Sequence, residues 1–215
     1  MRWMLVALSA VLVGCGSQKT IPQVRTVGIN AYADGDYETA RGAYQEIITR
    51  QPSGADDHYQ LGRTLMALGR NREAREQFDV AVSIAPRERA YWLALLDSVY
   101  QAGEYDELLD MVRARIRDRG DWRDAVVLGE YLDKGGLKDE AEEAFAQAVE
   151  LGNGTSAGPY IAQAKFYRSI GDKARELKAL RYALSFDLEN PEVNARIREL
   201  GQVPGPSLAI VPGEG

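Results

Sequence analysis

The chain has 215 residues, of which 45% are apolar and 27% charged, a mixture that supports a packed core and excludes a disordered polymer. Its formal charge of −6 excludes a protein whose main task is to coat nucleic acid, because phosphate binding needs a dense basic surface. One Cys and one His exclude an intrachain disulfide framework and a Cys/His zinc cage, so neither a metal nor a cofactor is expected.

The first segment reads MRWMLVALSAVLVGC, with Arg2 ahead of an apolar run from Trp3 to Val13 and then small residues. As a helix that run rises about 16 Å, too little to cross a hydrocarbon core of about 30 Å. It also lacks a polar face, so residues 1–14 are expected to be a signal peptide. Leu12, Val13, Gly14 and Cys15 resemble the bacterial lipobox. The resemblance implies cleavage before Cys15, lipidation of its thiol with palmitate-type acyl chains, and acylation of the new amine. Ordinary cleavage leaving an unmodified thiol is the alternative. Each buried CH₂ contributes about 0.8 kcal/mol, so a lipidated Cys15 would act as a membrane anchor with residues 15–20 as a short tether. Gly16 stands where the enteric inner-membrane retention signal places Asp. By that resemblance the outer membrane is favoured, with the protein facing the periplasm of the cell envelope.

Beyond the tether a period organises the chain. Gly35, Gly69, Gly103, Gly136 and Gly171 are separated by 34, 34, 33 and 35 residues. Five residues after them stand Ala40, Ala74, Leu108, Ala141 and Glu176; nine after, Tyr44, Phe78, Val112, Phe145 and Leu180. Seven before stand Gly28, Gly62, Leu96, Gly129 and Ala164. Small and apolar residues at intervals of three and four mark one helix face. Each unit therefore reads as a helix, a turn at the recurring Gly, a second helix and a stop, which Pro52 and Pro86 supply in the first two units.

These residues resemble the tetratricopeptide repeat. The resemblance covers about residues 21–190 and implies an all-α, right-handed α-solenoid of about five tetratricopeptide helix pairs plus a C-terminal capping helix. Its units fall at about 21–54, 55–88, 89–121, 122–156 and 157–190, with a cap at 191–201. The array thus spans 21–201, and the Pro- and Gly-rich stretch 202–215 is expected to be a disordered tail. One helix pair buries too little apolar surface to stand alone, so neighbours must stack.

Catalytic chemistry finds little support, and no enzyme activity is expected. His58 shares its helix position with Val24, Trp92, Ala125 and Tyr160, which favours a packing role. The run Gly152-Asn153-Gly154-Thr155 lacks a preceding strand and reads as a loop between repeats. Asp56-Asp57 and the acidic cluster Asp139-Glu140-Glu142-Glu143 sit near helix starts, where they suit the helix dipole and read as solvated. Arg113, Arg115, Arg117 and Arg119 end a helix opened by Asp106 and Glu107 and read the same way.

In the family the first helix of each pair lines a concave groove. The side chains left free of the stacking face would then form a partner-binding groove. These are Arg25, Ile29 and Tyr32 in the first unit, Tyr59, Arg63 and Met66 in the second, Leu93, Asp97 and Tyr100 in the third, and Val126 with Glu130 in the fourth. They make an aromatic and aliphatic centre with charged neighbours, a mixture that anchors interfaces. Some of them would alternatively fill the inside of the array with no partner. The clamp with which chaperone-binding members hold a terminal carboxylate needs Asn among the basic residues. Ile29, Arg63 and Asp97 occupy those positions, so that clamp is absent. The reading is a lipid-anchored, periplasm-facing adaptor that binds a protein or peptide partner in envelope, pilus or secretion assembly. The alternative is an accessory or regulator of a cell-wall enzyme, binding glycan or a hydrolase, with Tyr32, Tyr59 and Tyr100 as sugar platforms.

Overall fold

Glycine and proline punctuate the chain, and the helices form between them. A computed structural model describes residues 18–213, and the regular structure in it is α-helical throughout. Cys15 and the signal peptide expected at 1–14 lie outside the described residues. The chain divides into two compact units, Met1–Gly103 and Glu104–Gly215. The described part of the first holds α1 (Ile21–Ala33), α2 (Tyr37–Arg50), α3 (Ala55–Ala67), α4 (Asn71–Ile84) and α5 (Arg89–Gln101). The second holds α6 (Tyr105–Arg119), α7 (Trp122–Lys134), α8 (Lys138–Gly152), α9 (Gly158–Ser169), α10 (Lys173–Leu184) and α11 (Pro191–Glu199). None of these helices is long and apolar enough to cross a membrane.

The recurring Gly closes the first helix of each pair. Gly69 has φ +73°, the Gly69 amide donates to Met66 O (2.9 Å), and the Arg70 amide reaches back to Leu65 O (2.9 Å). This left-handed C-cap satisfies two carbonyls that the helix end would orphan. The same pair of bonds recurs at Gly35, Gly136 and Gly171. Second helices stop in different ways. Gln51 (φ −144°) and Ala85 (φ −129°) leave the helical region because each precedes a proline. Gly120 and Asn153 instead end α6 and α8 in the left-handed conformation.

Within the first unit α1 packs on α2 and α3 on α4, while α2 meets α3 and α4 meets α5. Within the second unit α7 packs on α8 and α9 on α10, with α6 against α7, α8 against α9 and α11 against α10. The small residues of the first helices receive the rings of the second. The Tyr44 ring lies against Gly28, Phe78 against Gly62 and Phe145 against Gly129. Tyr44, Phe78, Val112, Phe145 and Leu180 are all buried.

Three carboxylates are buried with them, each held by an arginine. Arg25 Nε and Nη2 donate to the two Asp57 oxygens, both at 2.9 Å. Arg115 Nε donates to Asp124 Oδ2 at 3.1 Å. Arg196 Nε and Nη2 grip Glu176 at 2.5 and 2.9 Å. Two expectations need correction here. Asp57 and Arg115 were expected on solvated helix ends, yet Asp57 is 3% exposed and the Arg115 side chain 11%. A charge leaves water in this way only when a fixed partner meets it.

The expectation of a disordered tail is corrected as far as Gly213. A turn links the Leu208 amide to Gly205 O (3.0 Å), and the Ile210 amide donates to Arg181 O at 3.0 Å. Arg181 Nε in turn donates to Leu208 O at 2.8 Å. Composition suggested disorder because the stretch is rich in Pro and Gly, but these contacts are made by its main chain.

Candidate functional site

In the first unit the residues expected to line a groove come from α1, α3 and α5. Arg63 on α3 is their centre. Its guanidinium lies over the Tyr32 ring at 4.8 Å and the Tyr59 ring at 5.8 Å. It donates to Gln60 Oε1 (3.1 Å) and, at the long limit, to the Tyr32 hydroxyl (3.4 Å). All of those partners are neutral. The planar cation thus lies over two aromatic rings, and no ion pair neutralises it among the described residues.

Two clefts meet at this cluster. The first, about 290 Å³, lies between α1 and α3 and is lined by Arg25, Ile29, Tyr32, Tyr44, Asp56 and Arg63 among others. The second, about 410 Å³, is lined by Tyr32, Tyr59, Arg63, Met66, Phe78, Ala94 and Asp97. Tyr32 and Arg63 form the wall between them. Ile29 stands 54% exposed beside the first cleft, and Leu93 on α5 is 38% exposed. Tyr100 is half-buried and lines neither cleft. Arg25 reaches the first cleft but is committed to Asp57, whose hydrogen bond raises the guanidinium pKa above its ordinary value. Burial, reinforced by Asp56, raises the Tyr44 hydroxyl.

Two contributors escaped the sequence reading. Tyr91 packs on Tyr59 at 4.8 Å and extends the aromatic wall. Burial raises its hydroxyl as well, Asp56 adding to the effect. Gln60 orients Arg63 from one turn away. Tyr91 stands twelve residues before Gly103, where the other units carry Gln23, Asp57, Asp124 and Pro159; no second aromatic recurs there, so the period carried no signal for one.

In the second unit Val126 and Glu130 of α7 line a cleft of about 590 Å³ with Trp122, Phe145, Ile161 and Lys165. Val126 is half-buried and Glu130 exposed. Trp122 fits where Gly158 has no side chain, and its far edge takes the space a Cβ there would need. His58 is 7% exposed, with Nδ1 2.9 Å from Gln77 Oε1 and Nε2 2.9 Å from Pro52 O. It ties α3 to α4 and to the preceding loop. Among the described residues no group of three or more His, Cys, Asp or Glu is placed to hold a metal ion. The clefts present shape, aromatic faces and single charges, which suit recognition of an extended chain.

Comparison with known proteins agrees with this architecture. The family model of the tetratricopeptide repeat matches residues 31–98. The tetratricopeptide repeat and J domain-containing co-chaperone DNJ1 of Cryptococcus neoformans is 25% identical over 199 residues, covering 86% of this chain but 36% of that protein. A thermophilic repeat protein of Thermus thermophilus superposes with a TM-score of 0.52 at 20% identity, over 84% of this chain and 98% of its own. MamA from Desulfovibrio magneticus superposes with a TM-score of 0.52 at 17% identity, over 80% and 97%. These two structural likenesses speak to the fold alone.

Proposed function

Since the chain is a tetratricopeptide-repeat protein, we propose that it is a non-catalytic adaptor that binds an extended segment of a protein partner across α1, α3 and α5. One observation carries this reading: Arg63, with its guanidinium over the Tyr32 and Tyr59 rings, divides two clefts, the first of them lined by the exposed apolar side chain of Ile29. An exposed aliphatic residue beside an aromatic wall and an unneutralised cation is the composition of an interface hot spot. The partner segment would place apolar side chains in the clefts and an acceptor group on Arg63.

The lipobox at Leu12 to Cys15 supports a place for this binding. The adaptor is lipid-anchored through Cys15 in the cell envelope, facing the periplasm from the outer membrane, and serves envelope, pilus or secretion assembly. The rival reading, a glycan-binding accessory of a cell-wall enzyme, needs open tyrosine faces. Arg63 covers one face of Tyr32 and Tyr59, and Tyr91 packs against Tyr59 as well, which disfavours stacking of sugars there.

A photo-crosslinking residue at Ile29 in membrane-bound protein tests the binding face. A discrete protein adduct that disappears on Arg63→Ala is expected. Adducts unaffected by Arg63→Ala would remove the site from these clefts. Cys15→Ser tests the anchor separately: the variant is expected in the soluble fraction, and unchanged membrane retention would refute lipidation.

A further inference from the structure

In the second unit the chain's own C-terminal segment is seated against α10, beside a cleft that α9 and α10 line. The carbonyl of Arg181, in the last turn of α10, is an acceptor that a continuing helix would give to residue 185. Here the Ser185 amide bonds Tyr182 O instead, and the Ile210 amide takes the place at Arg181 O at 3.0 Å. The Arg181 side chain completes the clasp by donating to Leu208 O at 2.8 Å. The Leu208 carbonyl and the Ile210 amide thus both meet α10, directly after the turn that the Leu208 amide closes on Gly205 O. The segment is therefore held through its main chain. Leu208 and Ile210 are half-buried, whereas Val211 is half exposed.

Beyond the clasp the segment runs into an aromatic cleft of about 390 Å³. Tyr160, Tyr167 and Tyr182 line it, and Pro212 and Gly213 of the segment form part of its wall. Tyr160 and Tyr182 stack at 5.3 Å, and burial raises the hydroxyls of Tyr160 and Tyr167 above the ordinary tyrosine range. Proline suits this place. It has no amide hydrogen to leave unpaired, it holds an extended backbone, and its flat ring packs on aromatic faces.

We propose that this clasp and cleft form a binding site for a short extended apolar segment ending in proline, presented by a partner protein. Leu208–Pro212 occupies the site in cis and yields it to a partner segment of the same chemistry. Because the cis segment is tethered, it competes at a high effective concentration, and only a segment presented with comparable proximity or better complementarity displaces it.

The test uses the full chain and a fluorescent peptide of residues 205–213 (GPSLAIVPG). Ile210→Pro removes the amide that bonds Arg181 O, and Leu208→Asp releases the segment by a different contact. Release is checked by hydrogen exchange of the Ile210 amide in the unaltered chain and in Leu208→Asp, and by limited proteolysis of the 205–213 segment in Ile210→Pro, which has no amide at that place. Both released variants are expected to bind the peptide about tenfold more tightly than the unaltered chain does. A peptide carrying Pro212→Ser, or a scrambled one, is expected to lose that binding. A released segment with no peptide binding would overturn the proposal, leaving the clasp as a structural strap. Equal binding of the scrambled peptide would overturn it too. An Ile210 amide that exchanges freely in the unaltered chain, or stays protected in Leu208→Asp, would overturn it as well, because the clasp would not hold the segment.

Discussion

A Cβ placed on Gly62 would lie 2.5 Å from Cε1 of Phe78, whereas one on Gly28 would lie 3.0 Å from Cζ of Tyr44. The two glycines hold the same place in successive helix pairs, yet the space beside them differs. Replacing a helical Gly by Ala gains up to about 1 kcal/mol of helix propensity. At Gly28 that gain meets a contact that a small ring shift relieves, so Gly28→Ala is expected to leave stability within about 1 kcal/mol of the parent. At Gly62 the clash with Phe78 dominates, and Gly62→Ala should cost about 1–3 kcal/mol net of propensity, with Gly62→Leu worse. Urea unfolding measures both. Adding Phe78→Leu should recover part of the Gly62→Ala loss, and strict additivity would show that the ring is not the obstacle.

Arg196 holds Glu176, a residue 1% exposed at a position where the other pairs carry Ala40, Ala74, Leu108 and Ala141. Arg196→Ala strands that carboxylate and should destabilise the second unit by about 3 kcal/mol. Glu176→Leu combined with Arg196→Met removes both charges and is expected to lose clearly less. The order of the two losses in urea unfolding decides the matter. If the double variant is the weaker, the pair contributes net stability rather than only satisfying itself.

Acid should weaken the fold in a defined window. Hydrogen bonds from the Thr39 side chain and amide hold the Asp36 carboxyl below its ordinary 3.8. The Arg175 amide and then its side chain do the same for Asp172. Arg70 lowers Glu73 from its ordinary 4.5, and Arg196 lowers Glu199. A carboxyl depressed by folding contributes stability that is complete above its unfolded pKa and lost as pH falls through the folded one. Melting temperature should therefore hold steady from pH 7 to about 5 and decline below about pH 4. Replacing Asp36 and Asp172 together with Ala should lower the melting temperature at pH 7 and flatten the acid slope. An unchanged slope would assign the acid loss to other groups.

Arg63 separates binding from folding. Its contacts with Tyr32 and Tyr59 are half-buried, and losing them should cost about 0.5–1 kcal/mol of stability. Arg63→Lys keeps the charge but not the planar stack, so it should rescue little of the adduct formed from a crosslinker at Ile29. Full rescue by Lys would mean that charge alone recruits the partner.

Much of the fold was legible in the residues because helix ends are local events. The left-handed turn at Gly69 and the stop before Pro52 follow from backbone chemistry at one or two positions. The fate of charges was not legible. Asp56 and Asp57 are identical neighbours, yet one is exposed and the other buried, and the difference is Arg25, 32 residues upstream. The aromatic wall shows the same limit, since Tyr91 is placed by the packing of α5 rather than by any recurring residue. The clasp on Arg181 left no trace in composition because amides and carbonyls are present in every residue.

The ion pairs also write an order into the array. Arg25 of the first helix pair serves Asp57 of the second, and Arg115 on α6 serves Asp124 on α7. The residues equivalent to Arg25 are Tyr59, Leu93, Val126 and Ile161, and those equivalent to Arg115 are Ile47, Ala81, Ala148 and Ala183. None of them is basic. If the pairs were shuffled, Asp57 or Asp124 would be left beside a neutral neighbour in the interior. The helix pairs look alike but are not exchangeable modules: the second and fourth each carry a buried acid that the arginine of the pair before it fits.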